Sequence, residues 1–235
     1  MTIHIPSDAM TNVQMILRWL HLLAGITWIG LLYFFNLVNV NFLKALDAAT
    51  KNKVVPQLMP RALWWFRWGA VVTVLSGFLY YLIILHAEPA FGTAFWTWVL
   101  LVGITYAILY VCLRPTAGPL NKGPVLGAAV AALILAMTGL LITLNGRPMT
   151  STRSLSIGIG GGIGILMFLN VWLVIWPNQK KIIAWTREAA EKGTAPPPEA
   201  AKLARQAFLA SRTNTWLSLP MLFFMGAASH YPMFG

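Results

Sequence analysis

Six stretches of this chain contain no charged residue: 19–43, 68–87, 89–113, 123–146, 154–179 and 213–235. Each is long enough to cross about 30 Å of hydrocarbon, which takes about 20 helical residues at about 1.5 Å each. Backbone N–H and C=O groups in lipid must pair within the chain, so each stretch is expected to be a helix. The expected fold is therefore an all-α integral membrane protein, a six-helix transmembrane bundle. Its helices are expected at about 12–43, 62–87, 89–113, 123–146, 154–179 and 213–231. They form a single transmembrane domain over residues 1–235, with a cytosolic helical loop at about 180–212.

Composition supports this class. Hydrophobic residues make up 58% of the chain and charged residues 10%, where an average soluble domain is about 25% charged. That balance excludes a disordered chain, a nucleic-acid-binding domain and an ordinary soluble enzyme. The net charge of +11 then reports topology rather than a nucleic-acid partner. Of the 17 Lys and Arg, all but Arg18, Arg147 and Arg153 fall at three loops, 44–67, 114–122 and 180–212. The positive-inside rule puts those loops in the cytoplasm and both termini on the outer, periplasmic side.

Local signals fit this layout. Residues 1–12 lack a basic segment and a small-residue cleavage site, so no cleaved signal peptide is expected. Trp64, Trp65, Trp68, Trp172, Trp176 and Trp216 are expected at the inner ends of the helices, and Trp19, Trp96 and Trp98 at the outer ends, as an aromatic belt. In the fifth loop, KKIIAWTREAAEKG continues a helix, TAPPP breaks it and EAAKLARQAFLASR restarts one. This hairpin is expected to lie on anionic lipid. The single cysteine, Cys112, excludes a disulfide, a Cys-ligated metal and a Cys-x-x-Cys-His haem attachment within this chain.

Some polar residues are not explained by membrane insertion. The chain has four histidines, His4, His21, His86 and His230. The last three fall within spans, and all three are expected in the same outer leaflet. Ionisable groups within spans are costly and default to a functional reading. Imidazoles on facing helices hold haem iron without burying net charge. His21, His86 and His230 are therefore the candidate ligands of a haem b. The outer cations Arg18, Arg147 and Arg153 are candidate partners of its propionates. Gly158/Gly162 and Gly160/Gly164 form two Gly-x-x-x-Gly pairs, which suit close helix packing and also leave room for a flat macrocycle. Glu88 is expected to cap a turn, and Asn170 to join two helices.

Four segments, RWLHLLAGITWIG (18–30), LWWFRWGAVVTVLSGF (63–78), WPNQKK (176–181) and SRTNTWLSLPMLFFMGAASHYP (211–232), resemble the bacterial membrane-bound urate hydroxylases. That family joins a multi-span membrane region to a C-terminal cytochrome c, and here the likeness is to the membrane region without a cytochrome c domain. His21 and His230 fall on matching motif positions. Gly69 stands where relatives often carry an acid, and Ser229 where Asn is usual. The resemblance implies an oxidoreductase of the bacterial inner membrane. The expected function is a membrane-embedded b-type cytochrome-like electron-transfer subunit of a larger redox assembly. The alternatives are a urate hydroxylase-like oxidoreductase working with a separate cytochrome c, and a structural membrane subunit without haem. The expected partners are other membrane redox subunits or a periplasmic cytochrome c, together with lipid.

Overall fold

The computed structural model describes residues 6–114 and 118–234, so His4 lies outside the described residues. Those residues form six long helices and no strand. We number them α1 (Ala9–Ala45), α2 (Ala48–His86), α3 (Phe91–Cys112), α4 (Gly123–Asn145), α5 (Thr152–Lys192) and α6 (Ala200–His230). The first five are long and apolar enough to cross a membrane. The sixth falls short of the apolar character expected of a span, because Thr213, Asn214, Thr215 and Ser218 interrupt its run. Most of that polar surface is turned into the bundle: Thr213, Asn214 and Ser218 are all buried.

Helix starts follow side-chain capping. Asp8 accepts from the Thr11 amide at 2.7 Å, and Asp47 from the Thr50 amide at 3.0 Å. Each satisfies an amide that the first helical turn leaves free. The Asp47 cap starts α2 well before residue 62, and the helix carries Pro56 and Pro60 in its charged first part. Helix α5 likewise runs past its apolar stretch and stops at Gly193, whose φ of 67° is the left-handed cap that glycine adopts without strain.

Helix α5 is the centre of the bundle. Every residue from Ser154 to Gly160 is buried, which means neighbours on all sides. Its glycines set those contacts. A Cβ on Gly160 would lie 3.1 Å from Phe224 Cβ and 3.2 Å from the Met221 carbonyl, so α5 and α6 touch nearly backbone to backbone. A Cβ on Gly162 would lie 3.0 Å from Val102 on α3. Trp98 of α3 donates its indole N–H to the Gly158 carbonyl at 2.7 Å. Trp98 is thus a buried anchor and not part of an outward-facing aromatic belt. The sequence-based belt placed it by its position near a helix end, but the side chain faces α5.

Two short π-helical turns interrupt the regular winding, Phe34–Asn39 in α1 and Val171–Ile175 in α5. The first follows Tyr33 and turns both Asn36 and Asn39 into the bundle. Asn36 donates to the Leu32 carbonyl at 3.0 Å and to Ser211 Oγ of α6 at 2.8 Å. The second follows Asn170, which donates to Asn214 Oδ1 at 2.8 Å; Asn214 in turn donates to the Met167 carbonyl at 2.9 Å. These bonds are the interhelical join expected of Asn170.

Candidate functional site

A cavity of about 750 Å³ lies between α1, α2, α5 and α6, with Trp98 of α3 at its wall. That volume is in the range of sites for cofactors and drug-sized ligands. Its lining follows helical spacing. Helix α1 contributes Arg18, His21, Leu22, Gly25, Ile29 and Tyr33; helix α2 contributes Thr73, Gly77, Tyr80 and Tyr81. Steps of three and four residues put each set on one face. Gly161 and Gly164 of α5 and Gly226 of α6 leave space where larger residues would fill it. The glycine-rich stretch therefore does two things. Gly160 and Gly162 bring helices together, and Gly161 and Gly164 hollow out the wall.

His21 is held in one orientation. Its Nδ1 lies 2.8 Å from the Thr73 carbonyl oxygen. A carbonyl only accepts, so Nδ1 is the protonated nitrogen, and in the neutral ring Nε2 carries the free lone pair. Gly77 makes this possible. A Cβ at residue 77 would lie 2.5 Å from His21 Nδ1 and 2.6 Å from Cε1. Any side chain there would push the imidazole off the helix. The same Thr73 carbonyl also accepts from the Ser76 hydroxyl at 3.2 Å, which its two lone pairs allow.

One end of the cavity is cationic. Arg18 lines it and lies 5.8 Å from the centre of the Tyr80 ring. Arg153, at the start of α5, lies 5.9 Å from the same ring and donates from Nη2 to the Tyr80 hydroxyl. Two arginines from distant parts of the sequence thus converge on one tyrosine at the cavity wall. A guanidinium pair with a phenol suits a carboxylate or another planar anion.

The remaining sequence candidates lie elsewhere. His86 and His230 are exposed and are not among the lining residues. His86 ends α2 and packs edge-on against Phe91, with ring centres 5.0 Å apart. His230 ends α6, its Nδ1 3.3 Å from the Gly226 carbonyl. Arg147 sits exposed in the loop between α4 and α5. Among the described residues no three His, Cys, Asp or Glu come together as a metal site. The single site expected of three histidines thus gives way to one histidine on the cavity and two at helix ends. The reason is geometric: sharing a leaflet fixes the depth of a side chain but not the face of the helix it occupies. The residues that reasoning from sequence missed are Thr73, Gly77, Tyr80 and Trp98. The signal for the first three was present, since positions 73, 77 and 80 form one stripe of α2.

Glu88, expected to cap its own turn between α2 and α3, instead caps the start of α5. It accepts from the Ser151 amide at 3.1 Å and from the hydroxyls of Ser151 and Ser154, at the N-terminus of α5. Partial burial raises its pKa, but these donors outweigh that and hold the carboxyl below its usual range. A carboxylate at a helix N-terminus also complements the helix dipole.

No curated protein and no solved structure matches the chain significantly. The family described as Urate oxidase N-terminal matches residues 46–235, well over half of the chain. The match spans α2 to α6, including Thr73, Gly77, Tyr80 and Arg153, while Arg18 and His21 on α1 precede it. The chain belongs to the Urate oxidase N-terminal family.

Proposed function

We propose that this chain is a membrane-embedded oxidoreductase subunit whose four-helix cavity holds haem b and passes electrons to a redox partner. The observation that carries this reading is His21: its Nδ1 is fixed on the Thr73 carbonyl at 2.8 Å, which leaves Nε2 free on the wall of a cavity of about 750 Å³. A carbonyl that accepts from the other ring nitrogen sets the tautomer and basicity that an iron ligand needs. His21 would hold the iron, and Arg18, with Arg153 acting through Tyr80, would face the carboxylates. When bound, haem supplies one-electron chemistry. The protein's own residues orient it, exclude water and balance its charge. Trp28, Phe78 and Trp98 supply apolar walls. His86, His230 and Arg147 fall outside this site and are assigned to helix ends and a loop.

The charge bias of the loops supports a bacterial inner-membrane location, with the Arg18 end outward. A partner on that side would be a periplasmic cytochrome c or another membrane redox subunit. The test is a reduced-minus-oxidised spectrum of the purified chain. A b-type band that is lost in His21→Ala supports the reading, and a colourless, folded wild-type protein overturns it.

Family membership favours a second reading, urate hydroxylase-like oxidation with a separate cytochrome c. Urate is a planar anion and suits the Arg18–Tyr80–Arg153 end of the cavity. Urate consumption by the purified chain with an artificial acceptor, sensitive to Arg18→Gln, would rank this reading first.

A further inference from the structure

The cavity has a side door. Leu22 and Ile26 of α1 line it and are 61% and 64% exposed. Leu222 of α6 lines it and is 44% exposed. Lining residues this exposed mark the rims of an opening. Gly30 on α1 and Gly226 on α6 extend the two rims, and a Cβ on either would meet nothing within 4 Å. The floor is closed where the Tyr33 hydroxyl meets Ser218 Oγ at 3.0 Å. From residue 22 to residue 30 the slot is about 12 Å long at about 1.5 Å per residue. Its rims are Leu, Ile and Gly, within the apolar stretch of α1, so lipid chains and not water border it.

Resting on the haem reading above, we propose that the cavity is loaded sideways from the bilayer, through this slot between α1 and α6. The occupant that fits is a planar amphipathic ring carrying carboxylates, the chemistry of haem. Its apolar body passes between two apolar rims, and its anionic edge meets Arg18 and the Tyr80–Arg153 pair at the end of the slot. An opening to water would need no apolar rim, and a wholly apolar occupant would leave the arginines without an anionic partner.

The test uses the full chain reconstituted in phosphatidylcholine vesicles and has two arms. In the first, haemin is presented in donor vesicles and uptake is followed by its Soret band. Gly226→Trp and Gly30→Trp plug the slot from its rims, where open space lets the fold stand, and they lose uptake while keeping the wild-type melting temperature. In the second, which needs no haem, Ile165→Cys on the cavity wall is labelled with a bimane fluorophore in a Cys112→Ser background. Quenching by a spin-labelled lipid exceeds quenching by aqueous iodide, and adding Gly226→Trp removes the lipid quenching. Dominant iodide quenching, or lipid quenching that survives the plug, overturns the side door whatever binds. Lipid quenching that the plug abolishes, with no haemin uptake by wild type, upholds the side door and overturns the haem reading.

Discussion

The two halves of this bundle are built on opposite plans. Around Arg18, His21 and Tyr80 it is hollow, with glycines and aromatic rings lining open space. Beyond Tyr33 and Asn170 it is solid, joined by Asn36 to Ser211 and by Asn170 to Asn214. The same helices, α1, α5 and α6, run through both halves. The difference lies in what the chain does with small and polar side chains. Glycine brings backbones together only where a neighbour moves in; where none does, it leaves a cavity. Asparagine fills the gap between helices and bonds across it, which in an apolar surround favours one arrangement over others. The π-helical turns mark the start of the solid half in α1 and α5, and turns of this kind often sit at functional sites.

The largest expected effect sets two glycines of α5 against each other. Gly160→Ala puts a methyl group 3.1 Å from Phe224 Cβ and 3.2 Å from the Met221 carbonyl, and it should cost about 1–3 kcal/mol of stability through overpacking. Gly164→Ala, whose nearest contact would be Met221 Cγ at 4.0 Å, should gain up to about 1 kcal/mol from helix propensity. Melting temperatures in one detergent measure both. Equal shifts would erase the contrast between packed and hollow faces.

Gly77→Ala tests the hollow half directly. Its methyl group would meet His21 Nδ1 at 2.5 Å and break the bond to Thr73. Losing such an orienting partner should weaken haemin binding about 10–100-fold, as read by spectroscopic titration. Wild-type affinity in this variant would mean that the ring orientation does not matter.

In the solid half, Asn214→Ala leaves Asn170 without its partner across the helices. It should cost about 1–2 kcal/mol, with no change in haemin affinity. A change in affinity would show that the two halves are coupled.

The smallest effect is expected at the α5 cap. Glu88→Gln removes a carboxylate from a helix N-terminus and should cost about 0.3–1 kcal/mol. The sign with pH follows from the lowered pKa of Glu88. The carboxylate's contribution is present above the ordinary glutamate range and is lost as pH falls through the folded-state value. The gap between wild type and Glu88→Gln in melting temperature should therefore close in acid. A gap that widens in acid would rule out the capping role.

Much of the architecture was legible in the amino-acid order, because charges are expelled from apolar stretches regardless of how helices pack. That constraint gave the all-helical class and the helix count, and of the six spans expected, five are helices long and apolar enough to cross a membrane. It placed α2 and α6 less well. Side-chain caps at Asp47 and a buried polar face on α6 depend on neighbours, which hydropathy does not record. The same limit governed the site. Sequence singled out His21 because a costly residue in an apolar stretch stands out one position at a time, and Arg18 and Arg153 because they lie against the charge bias of the loops. It could not separate His21 from His86 and His230, since depth is a property of position along a helix, whereas meeting is a property of rotation about it. Tertiary packing decided that rotation. It set His21 against the bare backbone at Gly77, brought two arginines to Tyr80, and left α1 and α6 apart at the surface of the bundle.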